Sequence, residues 1–403
     1  MKPFKITISV ILCFALVCSG VVASAATVSS ECDISDIEIP IDATVTDAAI
    51  GTQLDIKAKS AILMEVNTGE ILYEMNADEQ LPPASITKIM SLLLVMEAID
   101  RKELSVEDVV TASEHACSMG GSQIWLEPGE TMTVDDLLKA AVIASANDAT
   151  VALGEQIAGS EEGFVSMMNA RAAELGMTAT NFANATGLDA EGHISSAHDV
   201  AIMSAELIKH DLIKNYSTVW MDTLRDGESE LVNTNKLVRF YEGTTGLKTG
   251  TTSGAGYCLS ATAERNGLEL VAVIMSGDTS QDRFNGAKKL LDYGFSGWEL
   301  AAVSPAEPLP ELRVMGGEEK YVGLYTEPSS ALVKKGQGAK ITEKIYLPEY
   351  ISAPISADEA VGRIDYFADG EIISSLPIKA SQGVEKLGYT GLFWRFISKM
   401  LLV

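Results

Sequence analysis

Residues 85–100 read SITKIMSLLLVMEAID, with a serine and a lysine three positions apart at the beginning of a strongly apolar helical run. Two more polar motifs follow along the chain, Ser145-Ala146-Asn147 and Lys248-Thr249-Gly250, and each of the three patterns occurs only once. Together they supply a hydroxyl nucleophile, an amine base, a second hydroxyl with an amide, and a cation. These are the groups of a serine acyl-transfer site that needs no histidine.

The spacing of Ser85 and Lys88 puts both side chains on one face of a helix, because positions i and i+3 are neighbours there. The helix N-terminus also favours the negative charge that develops on a reacting oxygen. A lysine ordinarily titrates at about 10.4 and is a poor base while charged. Burial in the apolar run and a nearby cation such as Lys248 both favour the neutral amine. We therefore expect neutral Lys88 to take the proton of the nucleophile Ser85.

The second motif lies between two predicted helices, where its side chains can project into a cleft. Ser145 is placed to relay the proton from Lys88 to the leaving group, and Asn147 to bind a substrate amide. Asn147-Asp148 is also a common helix cap, and an isolated S-x-x-K is usually a helix start with an exposed lysine. The ordered combination of motifs is far more specific than any one of them.

The third motif is suited to holding the substrate. Lys248 and Thr249 can bind a terminal carboxylate, and Gly250 lets a substrate backbone lie close to the strand. The backbone N–H of Thr251, paired with that of Ser85, can form an oxyanion hole. Taken alone, K-T-G is a common turn.

Composition limits the partners of the chain. Its formal net charge of −26 should repel nucleic acid and anionic lipid, so we expect no nucleic-acid partner. Cys13 and Cys18 lie in the predicted signal peptide and leave with it. The remaining Cys32, Cys117 and Cys258 are too few for a disulfide framework, although one bridge among them is compatible with the sequence. His193 and His198-Asp199 are the nearest metal candidates, and no second cluster accompanies them. We expect neither a metal nor a cofactor.

The N-terminal region predicts export. Lys2 and Lys5 precede an uncharged apolar run, and Ala23-Ser24-Ala25 offers a cleavage site. Residues 1–26 are therefore interpreted as a secretory signal peptide, with an uncleaved membrane anchor as the alternative. Residues 27–55 form an acidic N-terminal extension to which we assign no function.

Sequence patterns predict two folded parts. Apolar stretches around Asn67-Thr68-Gly69 indicate a hairpin, helical patterns fill the middle, and two strand-like runs and a helix follow the third motif. We expect one α/β catalytic domain over residues 56–298. A proline-marked linker and the Asp369-Gly370 hairpin signal then predict a small β-rich domain over residues 303–380.

The motif trio is typical of class A β-lactamases and penicillin-binding proteins. From about residue 50 to the C-terminus the chain resembles the serine D-Ala-D-Ala carboxypeptidases, the low-molecular-mass penicillin-binding proteins. Further matching stretches are Gly120-Gly121-Ser122, Pro128-Gly129-Glu130, Glu174-Leu175-Gly176-Met177, Gly187-Leu188, His193, Asn233-Thr234-Asn235-Lys236-Leu237 and Arg283. The resemblance implies a penicillin-binding/β-lactamase-like catalytic domain, with an antiparallel sheet flanked by helices. It also implies that Arg283 helps to hold the substrate carboxylate.

The resemblance further implies a secreted bacterial enzyme that removes the terminal D-alanine from peptidoglycan stem pentapeptides. In that reaction Ser85 attacks the penultimate D-Ala carbonyl, D-alanine leaves, and water hydrolyses the acyl-enzyme. β-Lactams would acylate the same serine as substrate mimics. Two alternatives remain at this point: a class A-like β-lactamase, whose deacylating glutamate has no convincing match here, and a catalytically silent wall-binding protein.

The C-terminal segment, residues 383–403, predicts an amphipathic helix that anchors the enzyme at the outer face of the cytoplasmic membrane. On a helical wheel one side is apolar and the other carries Arg395 and Lys399 with small residues. A helix from Leu387 to Leu401 would be about 22 Å long, shorter than the ~30 Å hydrocarbon core. We therefore expect it to lie in the interface. A helix packed on the β-rich domain of the same chain is the alternative.

Overall fold

The computed structural model describes residues 54–401, so the predicted signal peptide and almost all of the predicted N-terminal extension lie outside the described residues. The helices are α1 Lys88–Asp100, α2 Glu114–Cys117, α3 Val134–Lys139, α4 Asn147–Ala158, α5 Glu161–Glu174, α6 Ala197–Ile208, α7 Asp211–Ser217, α8 Leu237–Phe240, α9 Ser280–Gly297 and α10 Tyr389–Leu401. The first nine strands are β1 Ala58–Glu65, β2 Ile71–Met75, β3 Val109–Thr111, β4 Thr131–Thr133, β5 Met221–Leu224, β6 Ser229–Val232, β7 Thr244–Thr252, β8 Gly256–Arg265 and β9 Leu268–Gly277. The others are β10 Trp298–Val303, β11 Leu312–Met315, β12 Tyr321–Val322, β13 Leu324–Tyr325, β14 Ser329–Lys334, β15 Thr342–Tyr346, β16 Tyr350–Ser352, β17 Ala360–Ala368 and β18 Glu371–Ala380.

A five-stranded antiparallel sheet in the order β2-β1-β9-β8-β7 forms the frame of the catalytic part. Both faces of this sheet are buried. Along β9, Val271, Val273 and Met275 belong to the core shared with α1, α4 and α6. The alternate residues Leu270, Ala272 and Ile274 pack with α9 on the opposite face. Since successive side chains of a strand point to opposite faces, a nearly continuous apolar run is what a sheet covered by helices on both sides requires.

Local sequence signals explain where several helices begin. Thr133, Ser160 and Ser196 are N-cap residues whose hydroxyl oxygens accept a hydrogen bond from the backbone N–H three residues later. The predicted cap at Asn147-Asp148 is wrong, because Ala146 holds the N-cap position and α4 begins at Asn147. Both polar side chains instead hydrogen-bond backbone groups of the loop of residues 118–130.

Between α9 and α10 the regular structure consists of strands and one short 3₁₀ turn. Three small sheets have the orders β10-β14, β12-β11-β16 and β13-β18-β17-β15. Two apolar clusters support them, one around Val314 and Val322 and the other around Ile364 and Tyr366. The predicted fold class, an antiparallel sheet flanked by helices followed by a β-rich part, is confirmed.

Helix α10 covers Tyr389–Leu401 and begins later than the predicted segment. Residues upstream of it belong to the β-rich part: Val384 is 2% exposed in its core, and the Leu387 N–H bonds the Gly316 carbonyl. Within residues 54–401, no helix combines the length and apolar character needed to cross a membrane.

Candidate active site

Ser85 lies in a short 3₁₀ turn, Ala84–Thr87, that leads directly into α1. The α-helix therefore begins at Lys88 and not, as expected, at Ser85. Ala84 has a left-handed φ of 49°, an uncommon conformation for a residue with a side chain, and Pro83 precedes it. The turn nevertheless gives the expected pairing, because the Lys88 Nζ donates to Ser85 Oγ over 3.1 Å.

Two glycines allow other segments to pack directly against this turn. A Cβ on Gly187 would stand 1.8 Å from the Ala84 carbonyl oxygen, and Gly187 itself has a φ of +87°. A Cβ on Gly250 would stand 2.9 Å from the Ser85 nitrogen. Only glycine fits at either position without displacing the nucleophile, since backbone atoms cannot yield as a flexible side chain does.

The Lys88 amine is fully buried between the nucleophile and a backbone carbonyl. Besides Ser85 it contacts the Thr186 oxygen at 2.8 Å. Burial lowers the pKa of Lys88 well below its usual value, and the positive charge of Lys248 lowers it further, against an opposing effect of Asp148. A neutral amine within hydrogen-bond distance of a hydroxyl can act as a general base.

The second motif follows a π-helical turn, residues 140–144, that ends at Ser145 with a left-handed φ of 63°. Asn147 is held against the loop of residues 118–130: its Nδ2 donates to the Gly120 carbonyl at 2.6 Å, and its backbone N–H to the Ser122 carbonyl at 2.7 Å. Its Oδ1 is buried and has no hydrogen-bond partner among residues 54–401. An unpaired buried acceptor is costly, so this amide is prepared to accept a hydrogen bond from a ligand.

The third motif itself lies inside a strand, β7, at the edge of the sheet, and the two predicted strands that follow it are β8 and β9. Lys248 is 1% exposed and its Nζ donates to the Thr249 carbonyl at 3.2 Å. Burial lowers the pKa of Lys248 to about 7, and the nearby charge of Arg283 contributes. The Thr249 hydroxyl donates to Thr234 Oγ1 at 2.7 Å, which ties β7 to the segment that follows β6.

Arg283, in the first turn of α9, hydrogen-bonds both β7 and the neighbouring strand β8. Its Nη1 donates to the Gly250 carbonyl at 2.9 Å, to Thr251 Oγ1 at 2.9 Å and to the Cys258 carbonyl at 3.2 Å. The side chain is 8% exposed. The structure thus brings Arg283 to the predicted neighbourhood, where it shapes the strand and adds positive charge beside Lys248.

Sequence reasoning missed two contributors. The Thr186 carbonyl that holds Lys88 is a backbone atom, for which no residue type gives a signal. Asp148 was interpreted as a cap, but its carboxylate accepts from the N–H groups of Ile124 and Leu126 at 3.1–3.2 Å. These groups are 22–24 positions apart in the chain, so no local pattern signals the contact.

The metal candidates have other partners. His193 Nδ1 accepts from the Ala183 N–H at 2.9 Å, and its Nε2 lies 2.7 Å from Thr87 Oγ1. Burial lowers the pKa of His193 to about 4. His198 pairs with Asp78 at 3.1 Å. In the part of the chain described, no group of three His, Cys, Asp or Glu residues is placed to hold a metal ion.

The pKa of Lys248 predicts a basic limb in the pH profile. A lysine binds a carboxylate only while protonated, so kcat/KM for a peptide with a free C-terminus should fall as pH rises through about 7. Replacing Arg283 by Met removes a neighbouring cation and should move that limb to higher pH, whereas Arg283→Lys should leave it near its original place. The measurement is kcat/KM against pH for the two variants and the unsubstituted protein.

A substrate with a neutral C-terminal ester is the control, because it offers no carboxylate. The pH profile of the ester should lack the basic limb. Arg283→Met should lower kcat/KM for the ester much less than kcat/KM for the free acid. Equal losses on the two substrates would refute a role for Arg283 in carboxylate binding.

Comparison with known proteins agrees with this geometry. Residues 46–279 match the family described as D-alanyl-D-alanine carboxypeptidase, and residues 305–386 match the C-terminal domain of penicillin-binding protein 5. The chain is 44% identical to the D-alanyl-D-alanine carboxypeptidase DacF of Bacillus subtilis over 344 residues, covering 84% of this chain and 88% of that relative.

Solved structures extend the match. Penicillin-binding protein 5 of Haemophilus influenzae superposes with a TM-score of 0.75 at 32% identity, covering 83% of this chain and all of that one. Penicillin-binding protein D2 of Listeria monocytogenes, in its ampicillin-bound form, has a TM-score of 0.56 at 35% identity, over 60% of this chain and all of that one. With a family match over more than half its length and a buried lysine amine 3.1 Å from the Ser85 hydroxyl, this chain belongs to the D-alanyl-D-alanine carboxypeptidase family.

Proposed function

We propose that this protein is a serine D-Ala-D-Ala carboxypeptidase that removes the terminal D-alanine from peptidoglycan pentapeptides. One observation carries the proposal: a fully buried lysine amine 3.1 Å from the hydroxyl of a serine in a strained turn. The Bacillus subtilis relative DacF is a D-alanyl-D-alanine carboxypeptidase by name, which supports the same reaction. Mass spectrometry of pentapeptide incubated with the protein tests it, and the expected product is the tetrapeptide with free D-alanine.

Each motif side chain has a role in this reaction. Ser85 attacks the penultimate carbonyl while Lys88 takes its proton, and the N–H groups of Ser85 and Thr251 receive the oxyanion. Ser145 passes the proton to the departing D-alanine. The carboxylate of that D-alanine is held by Lys248 and Thr249. Asn147, with its unpaired Oδ1, binds the peptide amide on the acyl side, and Gly250 lets the substrate backbone approach β7.

β-Lactams should acylate Ser85, as the ampicillin-bound relative suggests for the shared fold. The same reagent separates the rival functions. Fast release of hydrolysed penicillin would favour a β-lactamase, and labelling without pentapeptide turnover would favour a silent wall-binding protein. Slow release together with pentapeptide hydrolysis is the outcome expected here.

We also propose that the enzyme is secreted and acts in cell-wall construction at the outer face of the bacterial cytoplasmic membrane. Support for export comes from the leader-like residues 1–26. Support for the surface anchor comes from α10, where Tyr389, Phe393 and Trp394 are 94%, 55% and 68% exposed. These side chains do not pack on the β-rich part, so the alternative of a helix docked on its own chain loses support.

Removing α10 should release the protein from lipid. The cut is best made after Gly388 and not at residue 383, where the predicted anchor segment begins, because Val384 belongs to the core of the β-rich part. We expect binding to vesicles containing anionic lipid to fall at least about tenfold, since the exposed aromatic residues and the basic pair of the helix are lost together. Vesicle co-sedimentation measures the loss.

Pentapeptide hydrolysis in solution should persist in the truncated protein, which shows that the fold is intact. A Trp394→Ala variant of the full chain is the graded control and should bind lipid with intermediate strength. If the truncated protein binds vesicles as well as the full chain does, the anchor proposal is wrong.

A further inference from the structure

Trp125 is a large apolar side chain that the fold presents to solvent on the loop that hydrogen-bonds Asn147. It is 76% exposed, and its backbone φ of 60° is left-handed, which is rare for a bulky residue. Its neighbours Ile124 and Leu126 are 6% and 5% exposed. The chain therefore buries both flanking side chains and turns the indole outward, at a conformational cost that the surroundings must sustain.

Hydrogen bonds from two directions hold this conformation. On one side the buried Asp148 carboxylate accepts from the N–H groups of Ile124 and Leu126 at 3.1–3.2 Å. On the other side, Arg225 donates to the Ile124 carbonyl at 2.9 Å. It also donates to both carboxylate oxygens of Glu130, at 2.8 and 3.2 Å. The backbone on both sides of Trp125 is thus fixed, and a fixed aromatic platform loses little freedom when it binds a ligand.

The loop that carries Trp125 borders the acyl side of the site. Asn147 hydrogen-bonds the Gly120 and Ser122 carbonyls of this loop. A Cβ on Gly121 would lie 3.7 Å from Leu188, and Leu188 follows Gly187, which packs against the turn that carries Ser85. Lys248 lies on β7, where the proposed reaction places the carboxylate of the departing D-alanine. A stem peptide bound by Asn147 consequently sends its upstream residues towards this loop.

Around the loop that carries Trp125, the carboxylates of Asp148, Glu155 and Glu127 remain in addition to Glu130, which is paired with Arg225. Burial raises the pKa of the nearby Cys117 thiol, and the carboxylates of Asp148, Glu130, Glu155 and Glu127 raise it further. Glu127 is exposed two positions from Trp125. With a chain charge of −26 as well, the loop suits a ligand that combines apolar methylenes with positive charge.

We propose that Trp125 is a specificity-determining residue of this site and that its indole receives the ammonium-bearing aliphatic side chain of the third stem-peptide residue. The inference rests on the proposed function, because it assigns a further contact to the same substrate. The third residue of the stem peptide is bonded to the D-alanine whose carbonyl reacts. In an extended peptide the two residues are about 3.4 Å apart. Its methylenes pack on the ring, and its ammonium faces the ring and the acidic loop.

Two pentapeptides that differ only at the third residue test the inference: one with a free lysine side chain, the other with that amine acetylated. The unsubstituted protein should hydrolyse the free-amine peptide with a kcat/KM about fivefold or more above that of the acetylated one. Trp125→Ala should remove this preference by slowing the free-amine peptide, with the acetylated peptide changed by less than about twofold, and Trp125→Phe should keep part of the preference.

Penicillin acylation, which involves no third residue, should be equal in all variants and confirms that each is folded. Tyr350→Ala, which removes an aromatic side chain 51% exposed in the β-rich part, should keep the full preference. The inference is overturned if Trp125→Ala retains the preference, if it slows both peptides and penicillin alike, or if the unsubstituted protein shows no preference. Failure of the unsubstituted protein to hydrolyse either peptide would overturn the proposed function, and this inference with it.

Discussion

Replacing Ser85 by Ala should abolish both penicillin labelling and pentapeptide hydrolysis, a loss of at least about a thousandfold. The hydroxyl is the attacking group, and its loss leaves the Lys88 amine facing a methyl group with no proton to take. The change removes one oxygen atom from a turn whose shape depends on Ala84, Gly187 and Gly250, so the fold should be unaffected. Mass spectrometry of the intact protein after incubation with penicillin measures the covalent adduct directly.

Ser166→Ala is the matched control, because that serine is exposed on α5 and bonds only the Glu162 carbonyl of its own helix. It should label and hydrolyse as the unsubstituted protein does. An adduct that persists in Ser85→Ala, mapped to any other serine, would disprove the assignment of the nucleophile.

Replacing Lys88 by Met should slow acylation by roughly a hundred- to ten-thousandfold, the range that a general base contributes. Methionine is also unbranched and fills most of the buried volume, so the loss reports the amine and not a cavity. Both penicillin and pentapeptide should be affected, because each needs the Ser85 proton removed. Stopped-flow or quenched measurement of the acylation rate checks this, and thermal unfolding checks the fold.

The direction of the pKa shift adds a second test. Because burial and Lys248 lower the pKa of Lys88 well below its usual value, acylation in the unsubstituted protein should reach its full rate at a lower pH than an ordinary lysine base would allow. Lys209→Met, which alters an exposed lysine at the end of α6, is the control and should acylate at the normal rate. An acylation rate in Lys88→Met within about tenfold of the control would rule out Lys88 as the principal base.

Much of the architecture could be predicted because it depends on local patterns. The hairpin at Asn67-Thr68-Gly69, the caps at Thr133, Ser160 and Ser196, and the two strand runs after the third motif follow from alternation, turn residues and cap chemistry over a few positions. The pairing of Ser85 with Lys88 is also local, since it needs only a turn of helical spacing.

The sequence by itself therefore determined the fold class, the three motifs and the family. Only the tertiary structure decided how the motifs meet and what supports them. The Thr186 carbonyl on Lys88, the close approach of Gly187 and Gly250 to the nucleophile turn, and the bracing of β7 by Arg283 all join segments far apart in the chain. The same holds for Asp148. Local sequence rules predict a helix cap there, whereas in the structure its carboxylate hydrogen-bonds the backbone of the loop that carries Trp125. A hydrogen bond or a close approach between distant segments leaves no periodicity in the sequence, because it depends on where the whole chain places its backbone.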